Sequence, residues 1–245
     1  MAASGQVLHM PEAERQRYPG VEMDRDEDPI AGRTEQKRQQ KPGGIARRHL
    51  LRIGGIAAAA ALVTVAAQHR YGGRPPPGSP LYRWPAESRG QDDLFRVYGD
   101  PRDNSQLTLV RTPWPLQLAW KPEEYRREVI AHRRVADSLG EVFERVHAHY
   151  GEKEIRRLRL DQFGGDHVDR AMRGARDGRW STHAWGIAFD FDPLRNQLRW
   201  GREKASLASA DYRDWWQIWE EQGWYSLGRN RDFDWMHVQA AWRAY

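Results

Sequence analysis

Ser181-Thr182-His183-Ala184-Trp185-Gly186-Ile187-Ala188-Phe189-Asp190-Phe191-Asp192-Pro193 decides how the rest of this chain is read. From Ile187 to Asp192 large apolar residues alternate with small or acidic ones. As a strand, this puts Ile187, Phe189 and Phe191 on one face and Ala188, Asp190 and Asp192 on the other. The apolar face belongs on a core, and the acidic face looks into a cleft. Ahead of the strand, His183 sits beside Gly186, where a turn brings it toward Asp190. Some forty residues later the chain writes Asp234-Trp235-Met236-His237. Two histidines and two aspartates in short hydrophobic settings form a candidate metal site with its own base.

Two His and one carboxylate around Zn²⁺, with a fourth position left to water, form a standard catalytic arrangement. His183, Asp190 and His237 are the expected ligands, and Asp234 is the expected base. In a regular strand, residues three apart face opposite ways. Asp234 must therefore lie on an irregular entry to the strand carrying His237, and Arg231-Asp232-Phe233 after Gly228 provides the loop. Singly, each His–Asp pair reads as an ordinary polar contact. By residue type alone, a metal hydrolase and a pair of surface contacts both stay open.

Composition narrows the choices. The 245 residues carry a net charge of +5 and no cysteine, so disulfides, thiolate zinc sites and cysteine nucleophiles are excluded. The pI of about 9.6 suits an acidic polymer such as nucleic acid, anionic lipid or cell wall, or simply a solvated basic surface. Basic residues are scattered rather than set out as a groove-reading motif, so no nucleic-acid partner is expected. All 12 tryptophans fall after residue 83, which places the aromatic core in the C-terminal two thirds.

Residues 1–45 are polar, without apolar periodicity, and read as disordered. Arg47-Arg48-His49-Leu50-Leu51-Arg52 leads into Ile53–Ala67, an uncharged Ala/Gly-rich run shorter than the ~20 residues that span a bilayer. Residues 46–67 read as a twin-arginine-like export signal or an uncleaved membrane anchor. A buried Ala-rich helix is the plainer alternative. Residues 68–92, with Gly72-Gly73-Arg74-Pro75-Pro76-Pro77, read as a stiff linker, and the folded domain is expected over 93–245.

Within that domain, Phe95–Tyr98 and Leu107–Arg111 are expected as strands, with Pro113 and Pro115 breaking the second of them off. A helix is expected from Pro122 to Tyr150. Its face comprises Val135, Leu139, Val142, Phe143, Val146 and Tyr150, and Gly151 ends it. Ile155–Leu160 is expected as a strand and Gly164-Gly165 as a turn. Tyr212, Trp215, Trp216 and Trp219 predict a helix with a buried aromatic face, closed by Gly223. Met236–Trp242 is the expected last strand. Short strands with two helices and no βαβ alternation give an α+β class.

Ser181-x-His183-x-x-Gly186-x-Ala188-x-Asp190 followed by Asp234-x-x-His237 resembles the zinc D-alanyl-D-alanine carboxypeptidase family. That family includes vancomycin-resistance D,D-peptidases and phage L-alanyl-D-glutamate endopeptidases. Gly164-Gly165, Arg170 and Arg173-Gly174 look like its segment containing an active-site arginine, with Arg170 favoured and Arg173 the alternative. The resemblance covers roughly residues 93–245 and is specific in the two motifs. It implies a D,D-peptidase/hedgehog-like domain with a small antiparallel sheet, flanking helices and a Zn²⁺ site. It further implies a peptidoglycan stem-peptide substrate. Such an arginine would hold a substrate carboxylate or steady an oxyanion.

The zinc peptidase reading places the chain across the cytoplasmic membrane, in periplasm or envelope, as a monomer. The competing reading is a membrane-tethered, zinc-containing binding or structural domain without turnover. Ser181 either supports His183 by a hydrogen bond or caps a turn. Trp185 and Tyr225 line the cleft or fill the core. Asp192 is a fallback ligand, and His132 and His167 are not expected to bind metal.

Overall fold

The computed structural model describes residues 78–172, 175 and 177–245. The segment expected to be disordered (1–45), the expected signal or anchor at 46–67 and residues 68–77 of the expected linker lie outside the described residues, as does Arg173. Among the described residues no helix is long and apolar enough to cross a membrane.

The strands are β1 (Ala86–Glu87), β2 (Leu107–Leu118), β3 (Lys121–His132), β4 (Gln162–Gly165), β5 (Ala188–Phe191), β6 (Tyr225–Ser226), β7 (His237–Gln239) and β8 (Trp242–Arg243). The helices are α1 (Asp92–Tyr98), α2 (Arg133–Arg157), α3 (Arg213–Glu221) and α4 (Leu227–Arg231). Six strands form one sheet in the order β3-β2-β4-β5-β7-β6, and β1 pairs with β8 apart from it. The class is α+β, as expected. The sheet is mixed rather than antiparallel, because β2 and β4 run parallel.

Several local expectations are overturned. Phe95–Tyr98 belongs to helix α1, where Leu94 and Tyr98 are buried four residues apart and Asp92 and Asp93 occupy the first turn. The i, i+4 pair and the acidic start outweigh the short apolar run. Residues 121–132 form strand β3, and the helix begins only at Arg133. Ahead of Val135 the sequence Pro-Glu-Glu-Tyr-Arg-Arg-Glu has no apolar helical stripe, so pairing with β2 wins. His132 caps the helix, its Nδ1 accepting from the Arg134 N–H at 3.1 Å.

Pro113 and Pro115 interrupt the ladder but not the strand. The β2–β3 register skips from Arg111↔Glu128 to Leu116↔Arg126, a bulge that absorbs residues without an N–H. Ile155–Leu160 is helix and turn, with Ile155 and Leu158 buried at helical spacing, and Gly151 marks a kink within α2. Gly164-Gly165 lies in β4, not in a turn. A side chain at Gly164 would stand 2.9 Å from the Asp190 Cβ, so this glycine lets β4 close on β5. Met236–Trp242 divides into β7 and β8.

The core has the expected composition. Val135, Leu139, Val142, Phe143 and Val146 are fully buried on α2. Trp215 and Trp219 of α3 meet Phe191 edge-on at 5.0 Å and tilted at 5.7 Å respectively. Ile187, Phe189 and Phe191 are buried and Asp190 lines the cleft, so the expected alternation holds as far as Phe191; Asp192 leaves the strand in a left-handed conformation and does not share the cleft face. Trp185 is core, donating from Nε1 to the Gly99 carbonyl at 2.8 Å, and Tyr225 is buried outside the cleft lining.

The turn ahead of β5 depends on Gly186, whose φ is +67°. A Cβ there would lie 2.8 Å from Leu107 Cδ2 and 3.0 Å from the His132 backbone nitrogen. Gly186→Ala is expected to destabilise the protein by about 2–4 kcal/mol, combining left-handed strain with backbone overpacking. Urea unfolding would measure the loss.

Candidate metal centre

Three elements converge on one point. His183 comes from the 3-10 turn Thr182–Trp185, Asp190 from the middle of β5, and His237 from the first position of β7. The β5–β7 register pairs Asp190 directly with His237, while the Gly186 turn folds His183 back over both.

His183 Nε2 lies 3.2 Å from His237 Nδ1 and 3.3 Å from Asp190 Oδ1, and His237 Nδ1 lies 3.0 Å from Asp190 Oδ1. Donors held 2.0–2.2 Å from one tetrahedral ion stand about 3.4 Å apart, so the spacing fits a small cation after a slight expansion. This buried His–Asp–His triad could hold a metal ion.

The outer hydrogen bonds agree with that geometry. His183 Nδ1 points at the Asp166 carbonyl oxygen, 2.5 Å away, so it carries a proton and leaves Nε2 as the inward lone pair. His237 is reversed: its Nε2 faces Gln239 Oε1 at 2.9 Å, leaving Nδ1 inward. A partner for the far nitrogen of each ring is the usual support of a metal-binding histidine.

Burial pushes the Asp190 carboxyl up, but the charge of His183 and hydrogen bonds from both histidines hold it well below the usual carboxylate range. Burial lowers His237, yet the Asp190 hydrogen bond and the charges of Asp190 and Asp234 leave it raised to about 9.

Asp234 lines the same cleft. Its φ is +54°, and its carbonyl accepts from the His237 N–H at 3.1 Å, closing a tight turn immediately before β7. The irregular entry that strand geometry requires is therefore present. Its Oδ1 is buried without a hydrogen-bond partner. Burial, against the opposing pull of His237, raises its carboxyl to about 6. A polar atom left unpartnered inside a protein calls for a ligand, an ion or a reaction to explain it.

The cleft has a volume of about 280 Å³, small for a ligand site. Trp120, Leu194 and Phe233 contribute apolar walls, and Arg170 and Arg243 contribute cations. The backbone of Arg170 is fixed by the hydrogen bond from the Ser181 N–H to its carbonyl.

Other candidates go elsewhere. Asp192 turns away in a left-handed conformation and pairs with Arg159 at 3.0 Å and Arg195 at 2.6 Å, so it is not a fallback ligand. Ser181 opens the 3-10 turn through its carbonyl, which accepts from the Ala184 N–H, and makes no side-chain cap. His132 Nε2 engages the Tyr98 carbonyl at 3.0 Å. His167 is not part of the triad.

Sequence reasoning missed Asp166, Thr182, Gln239 and Glu87. Gln239 had a signal, since it lies two residues after His237 and so shares its strand face. Glu87 had none. Comparison with family models, curated proteins and solved structures returns no match to this chain.

Proposed function

We propose that this chain is a zinc-dependent metallopeptidase that cleaves peptidoglycan stem peptides, with a D,D-peptidase/hedgehog-like domain. His183, Asp190 and His237 hold the ion. When bound, Zn²⁺ supplies a Lewis acid that polarises the scissile carbonyl and acidifies water.

The chain's own residues supply the remaining steps. Asp234 takes a proton from the attacking water on its unpartnered oxygen and delivers it to the leaving amine. Burial suits it to that exchange, because a carboxyl raised toward neutrality both accepts and returns a proton readily. Arg170, at the cleft wall, holds a substrate carboxylate or the developing oxyanion, and Arg173 remains the alternative. An exported location, in periplasm or cell envelope, accords with this substrate and with the signal-like segment at 46–67.

One observation carries the reading: the unpartnered carboxylate oxygen of Asp234 lies in the same cleft as a complete His–Asp–His triad. A domain that used metal only to bind or to hold its fold would have no use for a desolvated base.

Isolated peptidoglycan incubated with the zinc-loaded protein is expected to yield shortened muropeptides by mass spectrometry. Their masses identify the bond cut, whether by D,D-carboxypeptidase or endopeptidase action. Unchanged muropeptides from a protein that binds one zinc per chain would refute the reading.

A further inference from the structure

Behind His237 lies a hydrogen-bond chain that reaches the N-terminal edge of the domain. Gln239 Oε1 accepts from the Thr182 hydroxyl at 3.1 Å and faces His237 Nε2 at 2.9 Å. Its amide Nε2 donates to Glu87 Oε2 and to the Ala241 carbonyl, each at 2.8 Å. All four contacts run in one direction. The partners on the amide-nitrogen side are a carboxylate and a carbonyl, which accept only, so the amide has a single allowed orientation. An amide held that way presents an oxygen to His237 Nε2, and that ring nitrogen must carry the proton.

Glu87 is itself held in place. It is 1% exposed, receives the Tyr245 hydroxyl at 3.1 Å, and sits on β1 opposite Arg243 of β8. The segment before Asp92, expected as linker, is thus part of the folded domain: Leu81, Glu87 and Gln91 are all buried.

We propose that Glu87 and Gln239 are positioning residues for the metal centre. Glu87 fixes the Gln239 amide, Gln239 keeps the His237 proton on Nε2, and Nδ1 is thereby left to the ion. A short strand that precedes the main sheet completes the site from behind. The inference rests on His183, Asp190 and His237 being metal ligands, and it holds whichever peptide the cleft accepts.

The test compares Zn²⁺ affinity, by competition with a chromophoric chelator, in the parent and three variants. Gln239→Met keeps the volume and removes every hydrogen bond, and is expected to weaken zinc binding about 10–100-fold. Gln239→Glu keeps an acceptor for His237 but sets two carboxylates against each other, and a similar loss is expected. Adding Glu87→Gln to Gln239→Glu restores one charge and one amide in exchanged positions, and is expected to recover part of the affinity, since the Ala241 carbonyl still faces a carboxylate. A purely structural role for the pair predicts the same loss and recovery in thermal stability but no change in zinc affinity.

A second readout needs no metal. The imidazole Nε2–H of His237 is expected as a slowly exchanging nitrogen-15-coupled NMR signal in the parent, and its exchange is expected to speed up markedly in Gln239→Met, where the Gln239 acceptor is gone. Unchanged zinc affinity in Gln239→Met, or failure of the exchanged pair to recover any of it, overturns the proposal. A parent that shows the protected Nε2–H but binds no zinc refutes the ligand assignment and, with it, the positioning role. Tight zinc binding without peptide cleavage refutes only the peptidase reading.

Discussion

Asp234→Asn is expected to lower kcat for stem-peptide cleavage by roughly 10²–10⁴-fold, the range of a lost general base, while one zinc per chain stays bound. The amide matches the carboxylate in shape but cannot take a proton from water. The same substitution is expected to leave the metal-free fold at least as stable at neutral pH. The reason lies in the sign of the carboxyl shift. Burial raises Asp234 to about 6 from its ordinary 3.8, so the folded state resists ionising it. Stability therefore falls as pH rises through that window, and a neutral side chain avoids the penalty. Lost activity with retained or increased stability is the signature of a residue kept for chemistry.

The parent's kcat/KM should show an acidic limb that the variant lacks. The base must be ionised to act, so the rate falls as pH drops through its pKa. A bound cation adds positive charge nearby and favours the carboxylate, which moves the limb to or below the metal-free value of about 6. Full activity in Asp234→Asn would remove this residue from the mechanism.

Asp190→Ala is expected to do the opposite to the fold and more to the metal. Zinc affinity should drop on the order of a hundredfold or more, since a charged ligand is lost from a three-residue set, and activity should drop with it. Without metal, Asp190 bonds His237 at 3.0 Å and lies 3.3 Å from His183. Its depressed carboxyl contributes stability above the ordinary carboxylate range, lost as pH falls through the folded value. Removing it leaves the two rings facing each other with nothing between, and the metal-free protein is expected to lose about 1–3 kcal/mol. Isothermal titration with Zn²⁺ and thermal unfolding of the metal-free forms separate the two aspartates. Unaltered zinc binding in Asp190→Ala would place the metal elsewhere.

Much of this site was legible because its parts are local. The alternation through Ile187–Asp192 depends only on the two-residue period of a strand, and Phe189 and Phe191 are buried as that period requires. The irregular backbone at Asp234 could be inferred from the three-residue spacing to His237. The aromatic stripe Tyr212, Trp215, Trp216, Trp219 is buried on and just before α3 for the same kind of reason.

Errors gathered where local pattern was weak and pairing decided. The polar run 121–128 holds no stripe of either period strong enough to choose. It became a strand because β2 offered a partner, and the helix beyond it kept its apolar face while losing its expected first turns. Short apolar runs at 95–98 and 155–160 fit strand or helix equally until their neighbours are known.

Residue type, spacing and turn chemistry in the sequence pointed to the triad, the neighbouring carboxylate and the strand that carries Asp190 as candidates; that the three groups meet is shown by the fold. The tertiary structure alone decided which ring nitrogen of each histidine faces inward. That choice is made by the Asp166 carbonyl and the Gln239 amide. It also alone joined Glu87 to the site, across the 152 residues separating it from Gln239. The physical reason is range. Periodicity and turns act over a few residues, whereas a hydrogen bond behind a ligand is set by whichever strand the sheet order brings alongside.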